Sequence, residues 1–133
     1  MALSDRVMGY DHIGIPTKDM EASTRFYESI GFKVAYETDN DGIVRFFALK
    51  DVMIEVYEKD KTAGERGAVD HIALKVDDIE KAVDEVRRLG LKIVEGPNVL
   101  PYWEYGVKYV SVEGPNKEIV EFIQTYEGAA AQV

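Results

Sequence analysis

Two histidines and two glutamates have the residue types and the spacing for metal chemistry. The only histidines of the chain, His12 and His71, stand at the same place in two matching segments, YDHIGI and VDHIAL. Glu55 and Glu121 each interrupt an apolar segment, VMIEVY and IVEFI. A buried carboxylate costs several kcal/mol unless it is paired or bound to a metal. We therefore predict that these four side chains form a functional site.

Imidazole and carboxylate ligands indicate which metals the site would take. Two neutral histidines and two glutamates suit Ni²⁺, Zn²⁺, Co²⁺ or Mn²⁺, with Fe²⁺ less favoured, and leave positions open for water or substrate. The absence of cysteine excludes thiolate ligands, disulfides and cysteine nucleophiles. The alternative is that the histidines serve packing and that the glutamates lie on edge strands facing water.

An internal repeat organises the elements that must position these residues. The offset that relates His12 to His71 also relates Asp19 to Asp78 and Gly31 to Gly90, without a gap. Each copy begins with an alternating strand and continues with a helix that starts near an aspartate and ends before a glycine. The predicted helices are 19–30 and 78–89, and the strands after them are 32–36 and 91–94.

A hairpin completes each copy. The predicted strands of the first hairpin are 43–49 and 52–57; those of the second are 107–112 and 118–124, after a long loop, 95–106. The fold class is therefore α+β, with two tandem βαβββ modules at about 8–58 and 68–126. A polar linker, 59–67, joins them into one domain, and 128–133 is expected to be a flexible tail.

Charge and hydropathy limit the partners. The net charge is −9 and the sequence pI is near 4.7, so the chain would repel phosphate backbones and anionic membranes. No apolar run approaches the ~20 residues that cross a bilayer, and the first residues lack the apolar core of a signal peptide. We expect a cytoplasmic protein whose partner is a small molecule.

The paired modules, each with a histidine in its first strand and a glutamate in its last, resemble the vicinal oxygen chelate superfamily, which has the glyoxalase I and bleomycin-resistance fold. The segments FYESIGF at 26–32 and GPN at 114–116 also carry this resemblance, which extends from about Tyr10 to Gln124. It implies a curved mixed sheet whose central cleft holds the metal ligands His12, Glu55, His71 and Glu121. It also implies a homodimer, with the cleft formed by one chain or by two.

The ligand set implies an activity within that superfamily. All four positions match bacterial-type glyoxalase I, whereas extradiol dioxygenases and fosfomycin-resistance proteins use two His and one Glu. The resemblance therefore implies a metal-dependent isomerase or lyase, related to lactoylglutathione lyase, acting on a small α-oxygenated carbonyl or a thiol hemithioacetal. The reaction would pass through a metal-stabilised enediolate, with Glu121 as the catalytic base and Glu55 as its partner. The alternatives are a metal-free binding protein of the bleomycin-resistance kind, an acyl-thioester epimerase and an Fe²⁺ dioxygenase.

Aromatic and apolar residues near the predicted ligands are candidates for binding substrate, although core packing is an equal alternative for each of them. Those in loop 95–106 would form a lid or a dimer contact, because large rings are costly to expose. The predicted substrate-binding residues are Phe47, Met53, Tyr57, Tyr102, Trp103 and Tyr109.

Overall fold

The computed structural model describes residues 2, 5, 6, 8, 10, 12–67 and 69–128. The chain divides into two compact units, Met1–Thr62 and Ala63–Val133. This division falls inside the predicted linker 59–67. Most of the predicted tail, 129–133, lies outside the described residues.

Unit 1 is a four-stranded mixed sheet with one helix. The strand order is β1-β4-β3-β2, with β1 parallel to β4 and the other neighbours antiparallel. Its elements are β1 (Ile13–Thr17), α1 (Met20–Ile30), β2 (Lys33–Asp39), β3 (Ile43–Leu49) and β4 (Val52–Glu58).

Unit 2 repeats this arrangement. The strand order is β5-β8-β7-β6, and β5 runs parallel to β8. Its elements are β5 (His71–Lys75), α2 (Ile79–Arg88), β6 (Lys92–Leu100), β7 (Val107–Glu113) and β8 (Ile119–Thr125). Two mixed sheets and two helices in this order confirm the predicted α+β class and the tandem βαβββ modules.

Both helices begin and end through the predicted local signals. Asp19 and Asp78 are the N-caps, and their carboxylates accept hydrogen bonds from the backbone N–H groups of Ala22 and Lys81 at 3.0 and 3.1 Å. Gly31 ends α1 in the left-handed conformation, with φ = 119°. A side-chain acceptor at the start and a glycine after the end satisfy backbone groups that a helix leaves unpaired.

The helix-facing side of each sheet forms the core. In unit 1, α1 contacts β4, and the buried side chains include Tyr27, Phe47, Ile54 and Val56. In unit 2, α2 contacts β7 and β8, and the buried side chains include Ile79, Val83, Val86, Val110, Val112 and Val120. Because side chains alternate along a strand, the residues between these core positions lie on the opposite face, where the candidate site is found.

The structure corrects the lengths of two strands. We predicted a strand at 32–36, but β2 runs from Lys33 to Asp39. We predicted a strand at 91–94 and a loop at 95–106, but β6 continues to Leu100 and pairs with β7 through Asn98↔Tyr109 and Leu100↔Val107. The part that was assigned to the loop includes Gly96 and Pro97. These two residues lie in an irregular part of an edge strand, between the pairs Glu95↔Ser111 and Asn98↔Tyr109, where a proline is tolerated because no ladder hydrogen bond depends on its N–H.

The two helices are short. They contain 11 and 10 residues, and in the described part of the chain no helix is long and apolar enough to cross a membrane.

Candidate functional site

Unit 1 brings His12 and Glu55 together. His12 directly precedes β1, Glu55 lies in β4, and the parallel pairing of these strands sets Gly14 beside Glu55. The Nε2 atom of His12 lies 3.3 Å from Oε1 of Glu55, and both side chains are partly exposed. The predicted first half of the ligand set is therefore one close histidine–carboxylate pair.

Unit 2 brings His71 and Glu121 together in the same way. His71 begins β5, and Ala73 pairs with Glu121 across the parallel β5–β8 ladder. The Nε2 atom of His71 lies 3.8 Å from Oε2 of Glu121. The two units thus present equivalent pairs at equivalent positions of the sheet.

Glu121 is the more buried of the two glutamates. Its side chain is 14% exposed, against 27% for Glu55. Burial raises the pKa of Glu121, the positive charge available on His71 lowers it, and the nearby carboxylates of Glu95 and Asp70 raise it further. A carboxylate in this environment gains from a cation that compensates its charge.

The geometry of each pair fits a divalent metal. Ligand atoms at metal distances of about 2.0–2.2 Å lie about 3.0–3.5 Å from one another on a four- or six-coordinate ion. The 3.3 Å pair of unit 1 falls in this range, and the 3.8 Å pair of unit 2 is a few tenths of an ångström longer. Among the described residues, no group of three or more histidine, cysteine, aspartate or glutamate side chains is arranged to hold a metal. The described geometry is therefore that of two pairs, one in each unit.

A glycine leaves space beside the unit 1 pair. A Cβ atom at Gly14 would lie 3.5 Å from Oε1 of Glu55 and 3.4 Å from Cε1 of Tyr57. The same residues border a cavity of about 300 Å³. Glycine thus keeps the floor of this cavity open next to the carboxylate.

Each imidazole also contacts a residue other than its glutamate, and this contact restricts the orientation of the ring. The Nδ1 atom of His71 lies 3.0 Å from Oδ2 of Asp70, and Arg66 lies 3.6 Å from the other oxygen of that aspartate. When Nδ1–H donates to Asp70, the Nε2 lone pair faces Glu121 and is available to a metal. In unit 1, Phe46 packs against the His12 ring edge-to-face, with centroids 5.5 Å apart. Asp11, the repeat equivalent of Asp70, lies outside the described residues.

One predicted substrate-binding residue is misplaced. Phe47 is fully buried and packs against Tyr27 of α1, with ring centroids 5.7 Å apart. It pairs with Ile54 and lies on the helix-facing side of the sheet, opposite to Glu55. Phe47 therefore belongs to the core, and the prediction for it was wrong.

The other predicted substrate-binding residues have different surroundings. Met53 and Tyr57 alternate with core positions along β4 and share the face of Glu55. Tyr109 shares the face of Glu121, is 6% exposed and donates a hydrogen bond to Glu95. Tyr102 and Trp103 lie in the short loop between β6 and β7, and they are exposed at 57% and 80%. A role of this loop as a lid or a dimer contact stays a prediction.

Sequence reasoning missed three residues on the site face: Phe46, Glu95 and Ser111. Phe46 was available from the hairpin register, because the tight turn at 50–51 pairs Leu49 with Val52 and hence Phe46 with Glu55. Ser111 likewise pairs with Glu121 across β7 and β8. Glu95 could not be found in this way, because it was assigned to a loop.

The site of unit 2 opens into a small cavity. It measures about 110 Å³ and is bordered by His71, Glu95, Ser111 and Glu121 among others. This cavity therefore places a further carboxylate and a hydroxyl next to the histidine–glutamate pair.

These features define a class of protein: two βαβββ units, each with a histidine at the start of the first strand or directly before it, close to a glutamate on the last strand. The chain belongs to the Glyoxalase/Bleomycin resistance protein/Dioxygenase superfamily, whose sequence profile matches residues 9–122.

Individual relatives agree with this assignment. The chain is 33% identical to the protein YwbC of Bacillus subtilis (strain 168) over 125 residues, which cover 86% of this chain and 95% of that protein. A solved glyoxalase family protein from Enterococcus faecalis has a TM-score of 0.75 at 22% identity, covering 87% of this chain and 97% of the other. The fosfomycin resistance protein FosX from Listeria monocytogenes, solved with Mn(II) and a sulfate ion, has a TM-score of 0.67 at 18% identity, covering 90% and 94%. At these identities the solved structures support the fold.

Proposed function

We propose that this protein is a metal-dependent isomerase or lyase of the glyoxalase I type. In this proposal His12, Glu55, His71 and Glu121 are the ligands of one divalent ion, Ni²⁺, Zn²⁺, Co²⁺ or Mn²⁺. The observation that carries the proposal is the recurrence of the same close histidine–glutamate pair in both units, at 3.3 and 3.8 Å. A protein that only binds an organic ligand has no need for two such pairs.

The bound metal would act as a Lewis acid that stabilises negative charge on adjacent substrate oxygens. The protein itself must remove and return a proton at the carbon beside the carbonyl. Glu121 is the better candidate for this base, because burial raises its pKa and a carboxylate with a raised pKa is the stronger base. Glu55, with more exposure, is its partner.

The residues around the unit 1 pair suit a small organic substrate. Met53, Tyr57 and Phe46 share the face of Glu55, and Tyr57 borders the cavity beside it. Aromatic and thioether groups contact the carbon skeleton of a ligand while a few polar groups orient it. The proposed substrate is a small α-oxygenated carbonyl compound or a thiol hemithioacetal.

Elemental analysis of protein purified without a chelating resin or added metal tests the metal site first. We expect close to one Ni, Zn, Co or Mn ion per chain. Each single variant, His12→Ala or His71→Ala, should lose the ion if all four ligands hold it. If each variant instead keeps about half of a larger metal content, the two pairs bind separately and the four-ligand site is wrong.

Activity is tested with methylglyoxal and a thiol as the source of hemithioacetal. Glu121→Gln should keep substantial metal and lose turnover, whereas full activity in this variant would contradict its assignment as base. A wild-type protein that takes up no metal, even after soaking, would instead be a ligand-binding relative whose histidines are scaffold.

The proposal includes a homodimer, and a mixing experiment shows which chains supply the ligands. His12→Ala and His71→Ala chains are co-expressed, and their metal content is measured. Metal regained in the mixed dimer would show that pairs from two chains meet, because neither chain alone has both histidines. Metal still absent from the mixed dimer would assign all four ligands to one chain.

A further inference from the structure

The two units differ at one row of equivalent positions across their sheets. In unit 1 the row runs Tyr36, Phe46, Glu55, Gly14, through directly paired residues. In unit 2 it runs Glu95, Ser111, Glu121, Ala73. The offset that relates His12 to His71 also relates Tyr36 to Glu95, and both of these residues directly follow a register shift.

Unit 1 has aromatic rings at the first two positions of this row. The Tyr36 ring lies 6.1 Å from Phe46, and Phe46 in turn packs against His12. Unit 2 has a small hydroxyl and a carboxylate at the same places, and a cavity of about 110 Å³ lies between them and the His71–Glu121 pair. Ser111 and Glu95 both border this cavity, so a small hydroxyl and a carboxylate stand where unit 1 has two rings.

Glu95 is held in position at the cavity. It lies between two register shifts of β6, and such irregularities redirect a side chain. Tyr109 is a buried residue, and its hydroxyl donates a hydrogen bond to Oε1 of Glu95. A carboxylate has about four acceptor positions, so this bond fixes the group and leaves acceptor capacity for a ligand.

The charge around the cavity favours a ligand group that donates a hydrogen bond over an anionic group. Three carboxylates, Glu95, Glu121 and Asp70, border it with one cation, Arg66. A divalent ion at His71 and Glu121 would offset the charge at its own end. Glu95 is separated from Glu121 by one strand, about 10 Å between backbones, so its charge remains at the far end.

We propose that Glu95 is a specificity-determining residue that accepts a hydrogen bond from a hydroxyl or ammonium group of the substrate. The substrate would then carry its chelating oxygens at one end and this donor a few bonds away, over Ser111. The inference rests on the proposed metal-dependent function. It adds to that function a prediction about the end of the substrate that lies away from the metal, namely that this end carries a hydrogen-bond donor. It predicts that substrates with a carboxylate at that end are disfavoured.

Three matched chelators test the inference without requiring turnover. β-Alanine hydroxamate carries a terminal ammonium, butyrohydroxamate has a methyl group in its place, and succinomonohydroxamate has a carboxylate. Their binding to the Mn²⁺-loaded protein is measured by calorimetry. We expect the ammonium compound to bind about threefold to tenfold more tightly than the methyl compound, and the carboxylate compound to bind most weakly, because a charge-assisted hydrogen bond at a half-open site has a moderate effect.

The variant Glu95→Gln keeps the shape and an acceptor for Tyr109 but removes the charge, and its preference for the ammonium compound should fall below about twofold. Glu85→Gln removes one negative charge from α2, away from the cavity, and should retain the wild-type order. Tyr109→Phe should show an intermediate preference, because Glu95 loses its fixed position.

The two proposals fail in different ways. If all three chelators bind the wild-type protein alike, or if Glu95→Gln keeps the wild-type preference, the role of Glu95 is wrong and the metal site stands. If no chelator binds because the wild-type protein holds no Mn²⁺, the proposed function is wrong and the inference falls with it.

Discussion

Phe46 and Glu55 lie directly opposite each other on β3 and β4, whereas the neighbouring Phe47 pairs with Ile54 on the other face of the sheet. Two adjacent phenylalanines therefore serve different purposes. One supports the His12 ring, and the other completes the core under α1.

Alanine at these two positions should separate the purposes. Phe47→Ala should lower the free energy of unfolding by about 3–5 kcal/mol, because it removes a fully buried ring. Phe46→Ala should cost about 1 kcal/mol, because that ring is only partly buried. Denaturant unfolding of both variants measures the difference, and equal losses would contradict the assignment of faces.

Glu121→Gln should stabilise the metal-free protein at neutral pH. Burial raises the pKa of Glu121 in the folded state above its unfolded value of about 4.3. Below the unfolded pKa the carboxyl is protonated in both states and the protein keeps its full stability. As pH rises through the folded pKa of Glu121, the side chain ionises in its buried position and the protein loses stability. Glutamine does not ionise and avoids this loss. Thermal melts in the presence of a chelator, from pH 4 to pH 8, should show a gain in Tm that grows with pH.

Glu55→Gln is the matched control for this pH series. It makes the same chemical change at the equivalent position of unit 1, where the side chain is about twice as exposed. Its effect on Tm should be smaller. A gain at Glu121→Gln that is constant from pH 4 to pH 8 would show that ionisation is not the cause.

Gly96 should tolerate alanine less well than Gly90. Both have positive φ, +85° and +70°, so both substitutions strain the backbone by about 1–2 kcal/mol. A Cβ at Gly96 would also lie 2.6 Å from the backbone oxygen of Tyr109, whereas nothing lies within 4 Å at Gly90. Gly96→Ala should therefore lose more stability than Gly90→Ala in chemical denaturation, by at least about 1 kcal/mol. If Gly90→Ala lost more stability than Gly96→Ala, the β6 backbone would not approach Tyr109 as closely as described.

The Lys108–Glu80 pair should respond unequally to loss of its partners. The Lys108 side chain is 9% exposed and that of Glu80 is 63% exposed. Glu80→Gln leaves a buried ammonium without its carboxylate and should cost about 2 kcal/mol, whereas Lys108→Met leaves the carboxylate in water and should change stability by less than about 1 kcal/mol. Urea unfolding of the two variants measures the difference, and a greater loss at Lys108→Met would contradict the claim that the buried, unpaired ammonium is the costly group.

The repeat explains why much of the fold was predictable from sequence. The hairpins and the helix caps at Asp19 and Asp78 are local features that can be read from short segments. Because the offset between the two copies is constant, an element predicted in one module supported the prediction of the same element in the other. The error at β6 concerns an irregular edge strand that contains Pro97, and sequence alone does not reveal that a strand will be at an edge, where proline is allowed.

The placement of the candidate site residues was predictable to the extent that it depended on strand alternation. The structure brings His12 close to Glu55 and His71 close to Glu121, because each histidine stands two residues before the residue that pairs with its glutamate and so shares that face of the sheet. Phe47 was assigned by its residue type without regard to its face. Glu95 depends on an irregular register and on a contact with Tyr109, and neither can be read from local sequence.

Each sheet takes its four strands from one unit. The most distant pairings in sequence join β1 to β4 and β5 to β8, and they close chain segments of similar length, each well under half of the chain. The chain entropy lost in such closures grows only with the logarithm of segment length, so the two sheets face similar and moderate kinetic barriers. Each half of the chain thus contains all the strand partners needed for its own sheet, and backbone amides should become protected from hydrogen exchange in two blocks, one for each half.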